Sequence, residues 1–411
     1  MGTERIRWLN IQNIAAAIEA MEAVGVDGRG IQRMVGKAFS RAVLAPAVSA
    51  PAALILKQEM LSLGGDAAIH RDVITGGRRE SDVLLLGSHK QLLALAQKLK
   101  AQPFGLRALG AAVGDLVRRL QEGGDGFVLC GGGRRLELRR GRPAVMGILN
   151  LTPDSFSDGG RYTEPAAAIR RGLEMTEEGA EIIDLGGEST RPGYSPVSAA
   201  AEWERLEPVV AALAGRAVLL SVDTRKAAVA AKALAAGAHI LNDIWGLRAD
   251  PDMAAAAAAY GAAVVLTHNR ATPGAGDVIG DIMRVWDESV NLALKAGLPA
   301  EALIVDPGIG FGKTPAQNLE TMRRLAELTA YGLPILFAAS RKSVIGHATG
   351  LKTEERLEAT LAANVLAAAA GADIIRAHDV AAHCRALAMT AAMTAAVGPE
   401  PGYSKGETND K

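Results

Sequence analysis

Ala144-Val-Met-Gly-Ile-Leu-Asn150-Leu-Thr-Pro-Asp154-Ser-Phe156-Ser-Asp158 begins as an apolar run and ends in hydroxyls, carboxylates and turn residues. Ala180-Glu-Ile-Ile-Asp184-Leu-Gly186-Gly-Glu188-Ser-Thr190-Arg191-Pro192-Gly193 repeats the design and adds an Arg. Each apolar run reads as a buried parallel strand. Polar groups concentrated at the C-terminal ends of successive strands are where a β/α enzyme keeps its chemistry.

Working outward, strand, polar loop and helix alternate from about Ala144 to Ala396. The strand candidates are Ala144–Leu149, Ala180–Leu185, Ala217–Val222, Ala238–Leu241, Ala262–Thr267, Ala302–Val305, Pro334–Ala338 and Ala372–Arg376. Between them, Glu164–Glu178 places Ala166, Ile169 and Leu173 at helical spacing, and Glu202–Leu213 does so with Leu206, Val209, Val210 and Leu213. Eight such units in roughly 250 residues are the size of a (β/α)8 barrel. An open doubly wound sheet would carry a glycine fingerprint on its first turn and stop sooner. The expected class is therefore α/β, a TIM barrel over residues 124–397, with 398–411 a disordered tail. Gly126–Arg140 reads as a hairpin turning at Gly131–Gly133, placed to plug the barrel floor.

Residues 1–123 read as a smaller α/β or α+β domain. Ile14, Ile18, Met21 and Val24 have helical spacing, as do Ile31, Met34, Val35 and Phe39. Asp82–Leu86 reads as a strand entering a helix with Leu92, Leu95 and Leu99. The Gly87-Ser88-His89-Lys90 turn could hold an anion, although a helix cap is the favoured reading. Dimerisation, covering the barrel or no role at all stand open for this domain.

Composition narrows the function. Formal net charge is zero and aromatics are 4% of 411 residues, which disfavours nucleic acid and anionic membranes as partners. Two cysteines, Cys130 and Cys384, make neither a disulfide framework nor a zinc site. The N-terminal MGTERIRWLN lacks a signal-peptide pattern, and Ile6 stands where myristoylation needs Ser or Thr. The expectation is a cytoplasmic protein with no membrane span.

The strand ends supply Asn150, Asp184, Asp223, Asn242, His268, Asp306, Lys342, Arg376 and His378. Buried without partners, such groups would cost roughly 2–7 kcal/mol each. A ligand rich in donors and acceptors accounts for them. Asp223, Asn242 and Asp306 suit a flat aminopyrimidinone edge. Arg376 and His378 lie where barrels hold phosphate. Asn150 offers an oxygen suited to Mg²⁺. Phe311 could stack on a heterocycle or cap the barrel mouth. Gly312-Lys313-Thr314 is not a P-loop ending, because Pro307 stands where that spacing needs Gly. The role of His268 is left open.

These stretches, with Ser221-Val-Asp-Thr224, Asn242-Asp243, Asp306-Pro-Gly308, Ser340-Arg-Lys-Ser343 and Arg376-Ala-His-Asp379, resemble dihydropteroate synthase motifs in order, over roughly residues 126–396. That folate-pathway family is the sulfonamide target. The resemblance implies condensation of 6-hydroxymethyl-7,8-dihydropterin pyrophosphate with p-aminobenzoate, with Mg²⁺ as cofactor, in a homodimer. It implies a pterin site of Asp223, Asn242, Asp306, Phe311 and Lys342. The pyrophosphate site would be Thr190, Arg191, Arg376 and His378, with Asn150 toward the metal. The p-aminobenzoate site would be Thr190, Pro192, Ser340 and Arg341. Asp154, Arg191, Lys342, Arg376 and His378 would serve turnover, Asp154 through closure of the first loop. Three departures are visible: Thr267 where the family usually has Met, Ala377 where Val is common, and the extra N-terminal domain. The rivals are a methyltetrahydrofolate methyltransferase, which has no need of Ser189-Thr190-Arg191-Pro192, and a non-catalytic pterin-binding regulatory protein.

Overall fold

The computed structural model describes residues 6–9, 11, 14–121, 126–151, 164–188 and 197–394. Two compact units divide the chain, one within residues 1–123 and the other within 124–395.

In the N-terminal unit β1 (Ser40–Ser49), β2 (Asp66–Ile69) and β3 (Glu80–Ser88) form an antiparallel sheet in the order β1-β3-β2. Helices Ala50–Ser62, His89–Leu99 and Leu106–Gln121 bury Leu56, Met60, Leu92, Leu95, Leu99 and Val117 in one cluster with Val43, Val83 and Leu85. Helical spacing over Ile31–Phe39 overran: helix Gly28–Met34 tightens to a 3₁₀ turn at Val35–Lys37, and Phe39 is buried just before β1. β1 was not anticipated, because Pro46 argues against a strand. It is tolerated at an edge where a bulge at Ala45–Val48 puts Ala47 at φ 50°, and Ala47 N–H donates to Asp82 Oδ1 at 2.9 Å. The Gly87–Lys90 turn is a cap: Gln91 N–H donates to Ser88 Oγ and Ser88 N–H to Gln91 Oε1.

The larger unit opens with the hairpin β4 (Gly126–Gly131) and β5 (Arg134–Arg139). The barrel strands are β6 (Ala144–Asn150), β7 (Ile182–Gly186), β8 (Leu219–Asp223), β9 (Ile240–Asp243), β10 (Ala263–Thr267), β11 (Leu303–Asp306), β12 (Leu336–Phe337) and β13 (Ile374–Ala377). All pair in parallel in the order β11-β10-β9-β8-β7-β6-β13-β12. A parallel bridge between Val305 and Ile335 joins the two ends of that row and closes the barrel, with Val305 N–H donating to Pro334 O at 2.9 Å. Each predicted barrel strand is present.

Strand side chains alternate between faces. One set, including Val145, Ile183, Leu220, Val264 and Val305, packs beneath the helices. The other set, Met146, Ile182, Leu219, Ile240, Val265, Ile304, Leu336 and Ile374, fills the interior together with Leu129 and Leu138 of the hairpin. The hairpin therefore plugs the floor. Its turn presses close: a Cβ on Gly131 would sit 2.6 Å from Ala263 N, and Gly132 N–H donates to Gly261 O.

Candidate active site

Period two carries the interior set onward to the barrel's C-terminal end. Two residues beyond Ile182, Ile240, Ile304 and Ile374 stand Asp184, Asn242, Asp306 and Arg376, and four beyond Met146 and Leu219 stand Asn150 and Asp223. The site is thus the polar top of the same inward columns whose lower part is apolar. Asn150, Gly186, Asp223 and Asn242 are direct lateral partners across four adjacent strands. Gly186 lies beside Asn150 in that layer, where a Cβ would come into ordinary contact with Asn150 Oδ1 at 3.4 Å.

Arg376 lies between two carboxylates. Its Nε donates to Asp184 Oδ2 at 2.6 Å and its Nη2 to Asp223 Oδ2 at 3.0 Å, while Asn242 Nδ2 donates to Asp184 Oδ2 at 2.9 Å. Asp184 is fully buried, and its Oδ1 has no hydrogen-bond partner among the described residues. Burial pushes the Asp223 carboxyl up to about 7, against the pull of Arg376 and helped by the nearby Asp184. Burial also raises Asp306, opposed by Lys342 and by the Gly308 N–H that donates to its Oδ1 at 2.7 Å.

Lys342 stands at the N-cap position of helix Ser343–Thr349 and donates to Ile309 O at 2.6 Å, with its ammonium 4.6 Å from the centre of the Phe311 ring. Burial lowers it to about 8, with Asp306 opposing. Arg341 before it holds φ at 55°, a strained value for a residue with a side chain. The turn is held on three sides: Arg341 N–H donates to Thr360 Oγ1, Arg356 donates to Arg341 O, and the Arg341 fork pairs with Asp379 at 2.6 and 3.1 Å. Ser340 Oγ lies 2.9 Å from His378 Nδ1. The residues assigned to p-aminobenzoate, Ser340 and Arg341, therefore sit against His378-Asp379, next to the residues assigned to pyrophosphate.

Of the sequence-predicted residues, Asn150, Asp223, Asn242, Asp306, Phe311, Ser340, Arg341, Lys342, Arg376 and His378 all lie at this end of the barrel. Asp154, Thr190, Arg191 and Pro192 fall outside the described residues. Asp184 was noted as a strand-end polar group without a site role, although it anchors Arg376. Asp379, which holds Arg341, was passed over as part of a motif.

A donor set of one neutral amide, Asn150, does not make a protein cage for a metal, and no group of three His, Cys, Asp or Glu capable of one occurs among the described residues. It suits Mg²⁺, which keeps several waters and leans on substrate phosphates.

A closed βα barrel with carboxylates, an amide, an Arg and a Lys converging at its C-terminal mouth defines an enzyme that binds a small polar ligand there. The model for the pterin binding enzyme family matches residues 146–378, and the chain belongs to that family. The dihydropteroate synthase of Clostridium beijerinckii is 47% identical over 251 residues, 61% of this chain and 93% of that protein. A probable bifunctional folylpolyglutamate synthase/dihydropteroate synthase of Halobacterium salinarum is 41% identical over 389 residues. That match takes in 92% of this chain, so it extends beyond the barrel into residues 1–123; the chain spans 46% of that relative's length, about half. A solved structure of Xanthomonas albilineans dihydropteroate synthase in complex with 7,8-dihydropteroate is similar at a TM-score of 0.61 and 42% identity, over 66% of this chain and 99% of that one.

Proposed function

We propose that this chain is a dihydropteroate synthase, joining 6-hydroxymethyl-7,8-dihydropterin pyrophosphate to p-aminobenzoate with release of pyrophosphate. The observation that carries the reading is the Asp184–Arg376–Asp223 cluster beside Asn242, Asp306 and Lys342. Buried acceptors at Asp184, Asp223 and Asp306 suit the N–H edge of a pterin, and the Lys342 ammonium suits its carbonyl or a ring nitrogen. The unpartnered Asp184 Oδ1 is an acceptor in want of a donor.

In the reaction, the neutral aryl amine's lone pair forms the C–N bond to the pterin's exocyclic carbon. The C–O bond breaks, its electron pair leaves with pyrophosphate, and the amine then gives up a proton to solvent. No base is needed before attack, so the barrier lies in C–O cleavage. In this reading Arg376 and His378 hold the departing anion, and one such preorganised contact is typically worth ~10²–10³ in rate. The negative charge of Asp223 and Asp306 favours a cation-like pterin carbon. Asn150 is the residue that would hold Mg²⁺, which would supply charge stabilisation to the leaving group. By the same reading Asp154, Thr190 and Arg191 would serve turnover; they fall outside the described residues.

The same reading makes the protein a cytoplasmic homodimer. Helices Leu357–Ala369 and Val380–Thr394 pack on each other and leave Leu366, Met389 and Met393 at 70%, 62% and 74% exposure. These exposed apolar side chains are the ones this reading assigns to the dimer contact.

The reading is tested by incubating the protein with both substrates and Mg²⁺ and resolving the products by mass. Dihydropteroate supports it. Tight pterin pyrophosphate binding without product favours a non-catalytic pterin-binding protein instead.

A further inference from the structure

Two motifs to which sequence assigned no role meet in space. Lys313, from the Gly312-Lys313-Thr314 run, lies with Nζ 2.5 Å from Nδ1 of His268, 3.1 Å from Gly308 O and 3.3 Å from Phe311 O. An ammonium has three N–H donors, and here it has three acceptors. Thr314 caps the next helix through a reciprocal pair with Gln317, so the run is a loop exit and not a phosphate cradle.

The other ring nitrogen of His268, Nε2, lies 3.2 Å from Asp281 Oδ2, and Arg270 grips Asp281 through two 2.6 Å hydrogen bonds. Arg284 also pairs with Asp281. A carboxylate at Nε2 and a cation at Nδ1 fix one tautomer: Nε2 carries the proton and Nδ1 accepts. Burial, with Lys313 adding to it, holds His268 down at about 4, so the ring is neutral at pH 7. Burial lowers Lys313 to about 7, Asp306 and Asp281 opposing and Lys342 and Arg270 assisting.

The loop so held is the one that places Lys342. Gly308 O and Phe311 O face Lys313, whereas Ile309 O and the Phe311 ring face Lys342. Two lysines thus donate to different carbonyls of one loop. The loop packs closely: Cβ atoms on Gly308 and Gly312 would strike His268 O at 1.9 Å and Arg270 O at 2.4 Å, and Gly310 N–H donates to Asn318 Oδ1 at 2.7 Å.

We propose that Lys313 is a positioning residue for the pterin site, its ammonium anchored on His268 and Asp281 so that the Gly308–Gly312 loop presents Ile309 O and Phe311 to Lys342. This rests on the pterin reading above. Lys313 does not touch the pterin; it acts through the loop.

The test uses the full chain at pH 7, fluorescence titration with 6-hydroxymethylpterin, and steady-state kinetics. Lys313→Met weakens pterin binding and raises the pterin pyrophosphate KM about tenfold or more. It leaves kcat and the p-aminobenzoate KM within about threefold. His268→Leu, which removes the acceptor, matches it. His268→Gln, which keeps an amide oxygen for Lys313, recovers most of the affinity. In ¹⁵N-histidine spectra of the wild type, His268 shows an unprotonated Nδ1 and a protonated Nε2. Unchanged pterin affinity in Lys313→Met, or equal losses in kcat, both KM values and melting temperature, overturns the proposal. No pterin binding by the wild type overturns the pterin reading and the proposal with it.

Discussion

Arg376 Nε and Asp184 Oδ2 stand 2.6 Å apart although 192 residues separate them in sequence, and the contact exists only because β13 and β7 flank β6 in a closed barrel. The ion pair is buried, so its partners hold each other in place. Asp184→Asn keeps the shape and removes the charge. It is expected to lower kcat/KM by on the order of 10²-fold, because the Arg376 fork loses its tighter anchor and its aim at the leaving group. Kinetics alongside a thermal melt check this; full activity in a folded variant contradicts it.

Pterin affinity should depend on pH with a maximum between about 7 and 8. Asp223, raised to about 7, must be ionised to accept the pterin N–H groups, so affinity falls as pH drops below that value. Lys342, lowered to about 8, loses its donor charge above it, and Lys313, lowered to about 7, passes its half-way point there. Titrating the protein with pterin from pH 5.5 to 9.5 measures both limbs (the range follows from working near these groups' shifted values, about two units either side). Asp223→Asn is expected to lose the acid limb alone.

Asp373 at the foot of β13 gives a stability test remote from the site. Burial raises its carboxyl to about 6 from 3.8, although Ile335 N–H and Arg140 oppose the shift. A raised carboxylate pKa favours the protonated fold, so its contribution to stability is lost as pH climbs from about 4 to 6. Two units correspond to about 3 kcal/mol at most. The stability of Asp373→Asn relative to wild type should therefore improve by ~1–3 kcal/mol between pH 4 and pH 8 in denaturant titrations. A difference that stays constant across that range contradicts the assignment.

The exposed face of the last two helices should hold the dimer. Leu366→Lys with Met389→Lys is expected to shift sedimentation from dimer to monomer without loss of helix content by circular dichroism. A wild type that sediments as a monomer removes the dimer reading.

The barrel was legible because each strand is an apolar run and each run ends in polar residues. Asp223, Asn242, Asp306 and Arg376 could be singled out for that reason. Their inward aim could not, since the strands are apolar on both faces until the last residues, and alternation is then invisible. The pairings were out of reach for a different reason: Asp184 with Arg376, Arg341 with Asp379 and Lys313 with His268 depend on which loops closure brings together. β1 was hidden by Pro46, whose cost the Ala47 bulge absorbs at a sheet edge. β2, Asp66-Ala-Ala-Ile69, has one β-branched residue and no apolar run to mark it.

The most direct test is pyrophosphate release by purified protein given pterin pyrophosphate and Mg²⁺, with and without p-aminobenzoate, beside Arg376→Ala. Release that depends on p-aminobenzoate and falls by on the order of 10²-fold or more in the variant is the predicted result. Folded protein that binds pterin pyrophosphate and releases nothing contradicts the account.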